Sequence, residues 1–319
     1  MPLIDMPLEE LRAYQGRNPR PDDFDAYWDA ALAELDAVDP QIEIVPTDFQ
    51  PAYAQFAHLW FTGVGGARLH ALYVKPRGVQ EPHPAIVQFH GYSGSAGSLA
   101  GLAQWVALGF SALALDVRGQ GGLSQDPTPR PGMTIRGHIV RGLDGRPEDL
   151  FYRAAFLDCA QVARIAMGLP EVDPDRVGAT GGSQGGALTL ACAALEPRVK
   201  RIVSVVPFLC DYQRVWEMDL AKDAYDELKY YFRCFDPAHE REREIFRRLG
   251  YIDCQHLAPR IRAKTAFVTG LMDTICPPST QFAAYNKITA PKEMWIYPDY
   301  GHETPAEASD KTFEFLAGL

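Results

Sequence analysis

Ser183, Asp273 and His302 are the side chains in this sequence that could together turn an alcohol into a nucleophile. A serine hydroxyl is a weak nucleophile near neutral pH. It needs a base to take its proton, and that base needs an acid to orient it. Ser183 lies in Gly181-Gly182-Ser183-Gln184-Gly185. Just upstream, Arg176-Val-Gly-Ala-Thr reads as a short buried strand, and Gly186 to Leu195 reads as a helix. A strand that turns into a helix through G-x-S-x-G holds its serine on a sharp turn, with the hydroxyl pushed off the sheet edge. The flanking glycines let the two backbones approach closely. The helix N-terminus then aims free N–H groups and its positive dipole end at any anion that develops there.

Three histidines follow Ser183, namely His239, His256 and His302. The first two fall in a helical, charge-dense stretch. His302 sits in Gly301-His302-Glu303 directly after a strand, where the ligand-facing residues of an open α/β sheet gather. It is the expected general base. Asp273 also ends a strand, after Ala266-Phe-Val-Thr-Gly-Leu-Met, and is the expected acid. Asp299, close before His302 but in a turn after Pro298, is its rival. Two backbone N–H groups should hold an oxyanion: that of Gln184, after the nucleophile, and that of Tyr92, in the loop His90-Gly91-Tyr92. His90 itself reads as structural. In Asp116-Val-Arg-Gly-Gln-Gly, Arg118 and Gln120 are expected to shape the site, paired to nearby carboxylates. That segment has neither the G-x-x-x-x-G-K-[ST] nor the G-x-G-x-x-G spacing of nucleotide-binding loops, and there is no H-E-x-x-H. No cofactor and no metal are expected.

The elements that must position these groups follow from pattern. The chain has 319 residues, 47% of them hydrophobic and 23% charged, enough for one large α/β domain. Its net charge of −10, without a long basic run, disfavours nucleic acid and anionic membranes as partners. The first residues have no basic-then-apolar leader pattern, and no apolar run is long enough to span a bilayer. Six scattered cysteines without a C-x-x-C pair suggest reduced thiols in a cytoplasmic protein. Residues 1–50 read as an arm carrying a helix with Phe24, Trp28, Leu32 and Leu35 on one face. Residues 54–75 read as a hairpin around Gly65-Gly66, and 211–256 as a helical insertion with a solvated charge run at His239-Glu-Arg-Glu-Arg-Glu. Residues 121–147 read as a long loop. From residue 85 onward strands alternate with helices, which predicts a mostly parallel central sheet with helices on both faces. With the G-x-S-x-G turn between strand and helix, this resembles the α/β-hydrolase fold.

With these motifs in order, the chain resembles the acetyl xylan esterase and cephalosporin-C deacetylase family, carbohydrate esterase family seven. The resemblance covers nearly the whole length. It rests on Leu8-Glu-Glu-Leu, Phe24-Asp-Ala-Tyr-Trp, His90-Gly-Tyr-Ser-Gly, Arg118-Gly-Gln-Gly, Gly181-Gly-Ser-Gln-Gly-Gly and Pro207-Phe-Leu-Cys. Leu271-Met-Asp-Thr-Ile-Cys-Pro-Pro-Ser-Thr, Phe282-Ala-Ala-Tyr-Asn and Gly301-His-Glu complete it. It implies a serine esterase that removes acetyl groups from small acetylated carbohydrates, such as xylo-oligosaccharides, and from cephalosporin C-like acetate esters. It also implies an intracellular homohexamer, with Ser183, Asp273 and His302 as the triad, Tyr92 and Gln184 as oxyanion donors, and Tyr92 with Pro207 at the substrate. The sequence departs from the family pattern in a proline-rich, shortened loop at 123–133, in Phe151-Tyr152, and in Ala187 after the elbow. Other readings are a short-acyl general esterase, a peptidase of the prolyl-oligopeptidase type, and a hydrolase-fold binding protein without catalysis.

Overall fold

A computed structural model of the chain describes residues 4–129 and 137–319. Among them, nine strands form one sheet: β1 (Glu43–Pro46), β2 (Ala54–Thr62), β3 (Arg68–Pro76), β4 (His83–Phe89), β5 (Ser111–Leu115), β6 (Val172–Gly182), β7 (Arg201–Val205), β8 (Lys264–Gly270) and β9 (Lys292–Tyr297). Their order is β1-β2-β3-β5-β4-β6-β7-β8-β9. β1, β2 and β3 pair antiparallel, and β3 meets β5 antiparallel. From β5 across to β9 every pairing is parallel. The central strands are buried on both faces, as covered parallel strands must be, so they read as continuous apolar runs rather than alternating ones.

The chain leaves β4 for β5 on one side and then crosses to β6 on the other. Strand order therefore reverses about β4. In open α/β sheets the crevice at such a reversal, beyond the carboxyl ends of the strands, is where ligands bind. His90 and Ser183 follow the ends of β4 and β6 and so flank this crevice.

Helices cover both faces. On one lie Phe24–Asp36, Phe151–Gly168 and Gln184–Leu195. Trp28 of the arm helix stacks on Phe156 at 6.0 Å and donates its indole N–H to the Tyr251 carbonyl at 3.0 Å. The apolar face expected at Phe24, Trp28 and Leu35 is thus core, and Leu32 packs at its margin. On the other face Trp105 stacks on Phe313 at 5.5 Å, beside Phe315 and Leu316 of the closing helix Ala306–Ala317.

The insertion carries helices Tyr212–Glu217, Asp226–Phe235, Glu242–Leu249 and Cys254–Leu257. In Glu242–Leu249 the apolar Ile245, Phe246 and Leu249 are buried, while Arg243, Glu244 and Arg247 face water. β1 has no counterpart in the sequence reading. All four of its residues are exposed, so it carries no alternation, and Pro46 suits an edge. The stretch 98–108 is an α-turn at Leu99–Leu102 that tightens into 3₁₀ geometry and ends at Gly109 with φ 77°. Of the long loop and its proline-rich part at 123–133, positions 130–136 lie outside the described residues.

Two glycines set how closely the elbow packs. A Cβ on Gly185 would lie 2.2 Å from the Phe89 carbonyl oxygen, and one on Gly181 would lie 2.6 Å from the Gly185 backbone. Both obstacles are main chain and cannot rotate away. Gly185→Ala is therefore expected to lower the free energy of unfolding by about 1–3 kcal/mol, the range for overpacking a close contact. Gly168→Ala, with open space around the new methyl group, serves as the neutral control. Equal denaturation midpoints for the two variants would contradict this packing argument.

Candidate active site

Ser183 adopts φ 58°, ψ −119°, a conformation that L-residues rarely hold. Its surroundings fix it there. The Ser183 N–H donates to the Val205 carbonyl of β7 at 2.9 Å, and its carbonyl accepts from Phe208 N–H at 3.0 Å and Ala187 N–H at 3.1 Å. The side chain is thereby aimed out of the sheet end, where its Oγ lies 2.9 Å from His302 Nε2.

His302 Nδ1 lies 2.8 Å from Asp273 Oδ2. Asp273 is fully buried, and its acceptor capacity is used by the loop that carries it. Oδ1 accepts the Ile275 and Cys276 N–H groups at 2.9 and 2.8 Å, and Oδ2 also accepts from Gln281 Nε2 at 3.3 Å. These donors hold the carboxylate in place, and its Oδ2 fixes the imidazole tautomer, with the proton on Nδ1 and Nε2 open towards Ser183. The His302 side chain is 19% exposed, so it sits at the mouth of the crevice. Such a constellation can deprotonate a hydroxyl, hold the resulting imidazolium, and hand the proton on.

The other sequence candidates fall elsewhere. Asp299 is exposed in its turn. His239 is exposed beside Glu242 and packs on Trp216. His256 is buried with Nε2 at the Asn18 carbonyl, and burial pushes its pKa down to about 3.

The loop after β4 runs beside the elbow. His90 Nδ1 donates to the Gly91 carbonyl at 2.7 Å and Nε2 accepts Val117 N–H at 3.0 Å, so both nitrogens serve the backbone. Burial holds this imidazole below its ordinary pKa, which suits the neutral ring these bonds require. The Gln184 side chain points away from the crevice. It forms a reciprocal amide pair with Gln120 at 2.9 and 3.0 Å, accepts the Tyr152 hydroxyl at 2.8 Å, and donates to the Gly91 carbonyl at 3.3 Å. It braces the loop carrying Tyr92 against the helix whose first N–H groups have no intrahelical acceptor. Pro207 is buried behind the elbow, its Cα 3.1 Å from where a Cβ on Gly186 would stand.

Arg118 follows its expectation. It is fully buried and makes a two-pronged pair with Asp158 at 2.6 and 2.7 Å, with Asp126 at 3.7 Å. Gln120 does not follow it, since its partners are the Gln184 amide and the Ser93 N–H. The amide pair satisfies both side chains without placing a charge beside Ser183.

Cys276 was not singled out by sequence reasoning. Its thiol, with Asp273 and His302, offers ligand atoms that lie within 4.8 Å of one another. A soft metal ion could be held there only by displacing the hydrogen bonds just described. Burial and the neighbouring Asp273 push the thiol pKa up, which favours a neutral SH. Nothing in a lone cysteine three residues after a strand-end aspartate signals this proximity. The six cysteines are unpaired, with Cys234 exposed and the rest buried.

Comparison with known proteins agrees with this geometry. The family model of acetyl xylan esterase (AXE1) matches residues 1–319. Acetyl esterase Axe7A of Xylanibacter ruminicola is 32% identical over 173 residues, a match spanning 54% of this chain and 37% of that protein. The crystal structure of acetyl xylan esterase 1 from Thermoanaerobacterium sp. JW/SL YS485 superposes with TM-score 0.97 at 54% identity, covering 99% of each chain. The acetyl xylan esterase from Paenibacillus sp. R4 superposes with TM-score 0.94 at 37% identity, covering 98% of this chain and all of that one. With a strand–elbow–helix around Ser183, a mostly parallel sheet flanked by helices and a family match from end to end, this α/β-hydrolase-fold chain belongs to the acetyl xylan esterase family.

Proposed function

We propose that the chain is a serine esterase that removes acetyl groups from small acetylated carbohydrates through an acetyl-enzyme on Ser183. The observation that carries this is the unbroken hydrogen-bonded line from Ser183 Oγ through His302 to Asp273, at 2.9 and 2.8 Å. As Oγ attacks the acetyl carbonyl carbon, Nε2 of His302 takes its proton. The new negative charge on the carbonyl oxygen is held by the backbone N–H groups of Gln184 and Tyr92. Collapse breaks the ester bond, and His302 returns the proton to the departing sugar hydroxyl. Water then attacks the acetyl-enzyme with His302 again as base, releasing acetate. Asp273 holds the ring through Nδ1 and pairs with the imidazolium without taking its proton.

Acetylated xylo-oligosaccharides are the favoured substrates because the family and its relatives are acetyl xylan esterases. Cephalosporin C-like acetate esters enter on family resemblance, as do a cytoplasmic location and a homohexamer. Tyr92 is the proposed substrate contact, while Pro207, given that role by the resemblance, is buried against the elbow helix. No cofactor, metal, nucleic acid or membrane enters the proposal. Among the described residues no helix is long and apolar enough to cross a membrane.

Ser183→Ala is expected to reduce turnover of p-nitrophenyl acetate to background, a loss of about 10⁶ in kcat, and Asp273→Asn to lose about 10⁴ through the wrong imidazole tautomer. A Ser183→Ala enzyme that keeps a tenth of its activity would remove the nucleophile from this scheme.

The acyl series separates an acetyl esterase from its rivals. The acetate ester should be cleaved far faster than the butyrate. Comparable rates on octanoate would mean a broad-chain esterase, and cleavage of an aminoacyl amide a peptidase. Release of acetate from xylo-oligosaccharides and from cephalosporin C, with a mass measurement in solution, tests the substrate range and the hexamer.

A further inference from the structure

The carboxylate of Glu227 is buried yet plays no part in the chemistry described above. It lies at the start of the insertion helix Asp226–Phe235, far along the chain from Tyr92 and from the triad residues. Burying a carboxylate is costly unless its oxygens are fully hydrogen-bonded. Here they are. Oε1 accepts the Tyr92 hydroxyl at 2.5 Å and His138 N–H at 3.1 Å, and Oε2 accepts Val140 N–H at 2.9 Å. Ile139 N–H also favours the charged form. A hydroxyl and the His138 and Val140 amides thus converge on two oxygens, three donors that a carboxylate can accept and that exceed the two lone pairs of an amide oxygen. Burial pushes the Glu227 pKa up to about 7, and these donors oppose that rise.

Three segments distant in sequence meet at this carboxylate: the loop after β4, residues 137–140, and the insertion helix. They meet beside Ser183. The Tyr92 ring packs edge-on against Phe208 at 5.5 Å and against His138 at 5.0 Å, and the Phe208 N–H donates to the Ser183 carbonyl. His138 N–H also reaches the Tyr92 hydroxyl at 3.0 Å, and Ser93 Oγ lies 3.2 Å from His138 Nε2. Residue 137 must be glycine for this contact, because its φ is 138° and a Cβ there would lie 2.3 Å from Glu227 Cδ.

We propose that Glu227 is a positioning residue: its carboxylate clamps the Tyr92 hydroxyl and the 137–140 segment, and so keeps the Tyr92 N–H in register with Ser183. The clamp acts through Tyr92 and touches no reacting atom. Its catalytic consequence rests on the esterase reading given above, and its mechanical part does not. An oxyanion donor must lie within a few tenths of an ångström of its place, so loosening the clamp should lower kcat rather than weaken substrate binding.

The test uses the full chain with Glu227→Gln, Tyr92→Phe and the double variant. On p-nitrophenyl acetate, each single variant should lose about ten-fold or more in kcat per titrated Ser183, Glu227→Gln with KM changed by less than about two-fold, and the double variant should be no worse than the poorer single. Additive losses, or a Glu227→Gln enzyme with wild-type kcat per titrated serine, would overturn the catalytic part. Amide hydrogen exchange without substrate reads the clamp alone. In Glu227→Gln, residues 90–94 and 137–140 should exchange at least about ten-fold faster, with β4, β6, β7 and β8 unchanged. Unchanged exchange in both segments overturns the clamp whether or not the protein cleaves esters. An inert wild-type protein with loosened segments in Glu227→Gln would sink the esterase reading and leave the clamp standing. Should Glu227→Gln fail to fold, Tyr92→Phe decides the matter by the same two readouts.

Discussion

The backbone of Ser183 sits where few non-glycine residues go, at φ 58°, and the rest of the site depends on its being held there. A conformation of this kind costs on the order of 1–3 kcal/mol and persists only where its surroundings over-determine it. Here β7, the segment after it and the elbow helix each supply a hydrogen bond to residue 183. Glycines at 181, 185 and 186 let β6, β4 and the helix come within backbone contact. The strained turn and the close packing are one device. Without the packing the serine would relax into the helix or the strand, and its hydroxyl would no longer leave the sheet at an angle that meets His302.

The same sheet places the partners. β6, β7, β8 and β9 are consecutive parallel strands, so the loops that leave their carboxyl ends emerge side by side, about 4.8 Å apart per strand. Ser183 leaves β6, Asp273 follows β8 and His302 follows β9. Side chains 119 and 29 residues apart along the chain therefore meet at hydrogen-bond distance. On the other flank β4 delivers the loop that carries Tyr92, braced by the Gln184–Gln120 amide pair. Below, the buried Arg118–Asp158 pair anchors the residue next but one to Gln120. Burial makes that pair demanding, since either partner left alone would be an uncompensated charge in the core.

Much of this was legible in the sequence because the groups are punctuation. Ser183, Asp273 and His302 each stand just past an apolar run that reads as a strand, and order along the chain then assigns their places. The parallel sheet, the arm helix and the insertion follow from periodicity in the same way. What could not be read depends on approach between segments without local signature. β1 is exposed throughout and carries no alternation. Gln120 was expected beside a carboxylate, but which side chain faces it is decided where the elbow helix crosses the loop after β5. Cys276 looks like any other scattered cysteine until the loop after β8 folds back on Asp273. Glu227 reads as one more charge in a charged helix, and its contact with Tyr92 spans 135 residues. Its burial is visible only once the insertion is seen lying over the loop after β4.

The most direct measurement is the identity of the residue that carries the acyl group during turnover. Wild-type enzyme turning over p-nitrophenyl acetate, quenched in acid and digested, should yield one acetylated peptide, with the acetyl group on Ser183. Acetyl on the neighbouring Cys276 thiol, or turnover without any acetylated peptide, would contradict the assignment of Ser183 as the nucleophile.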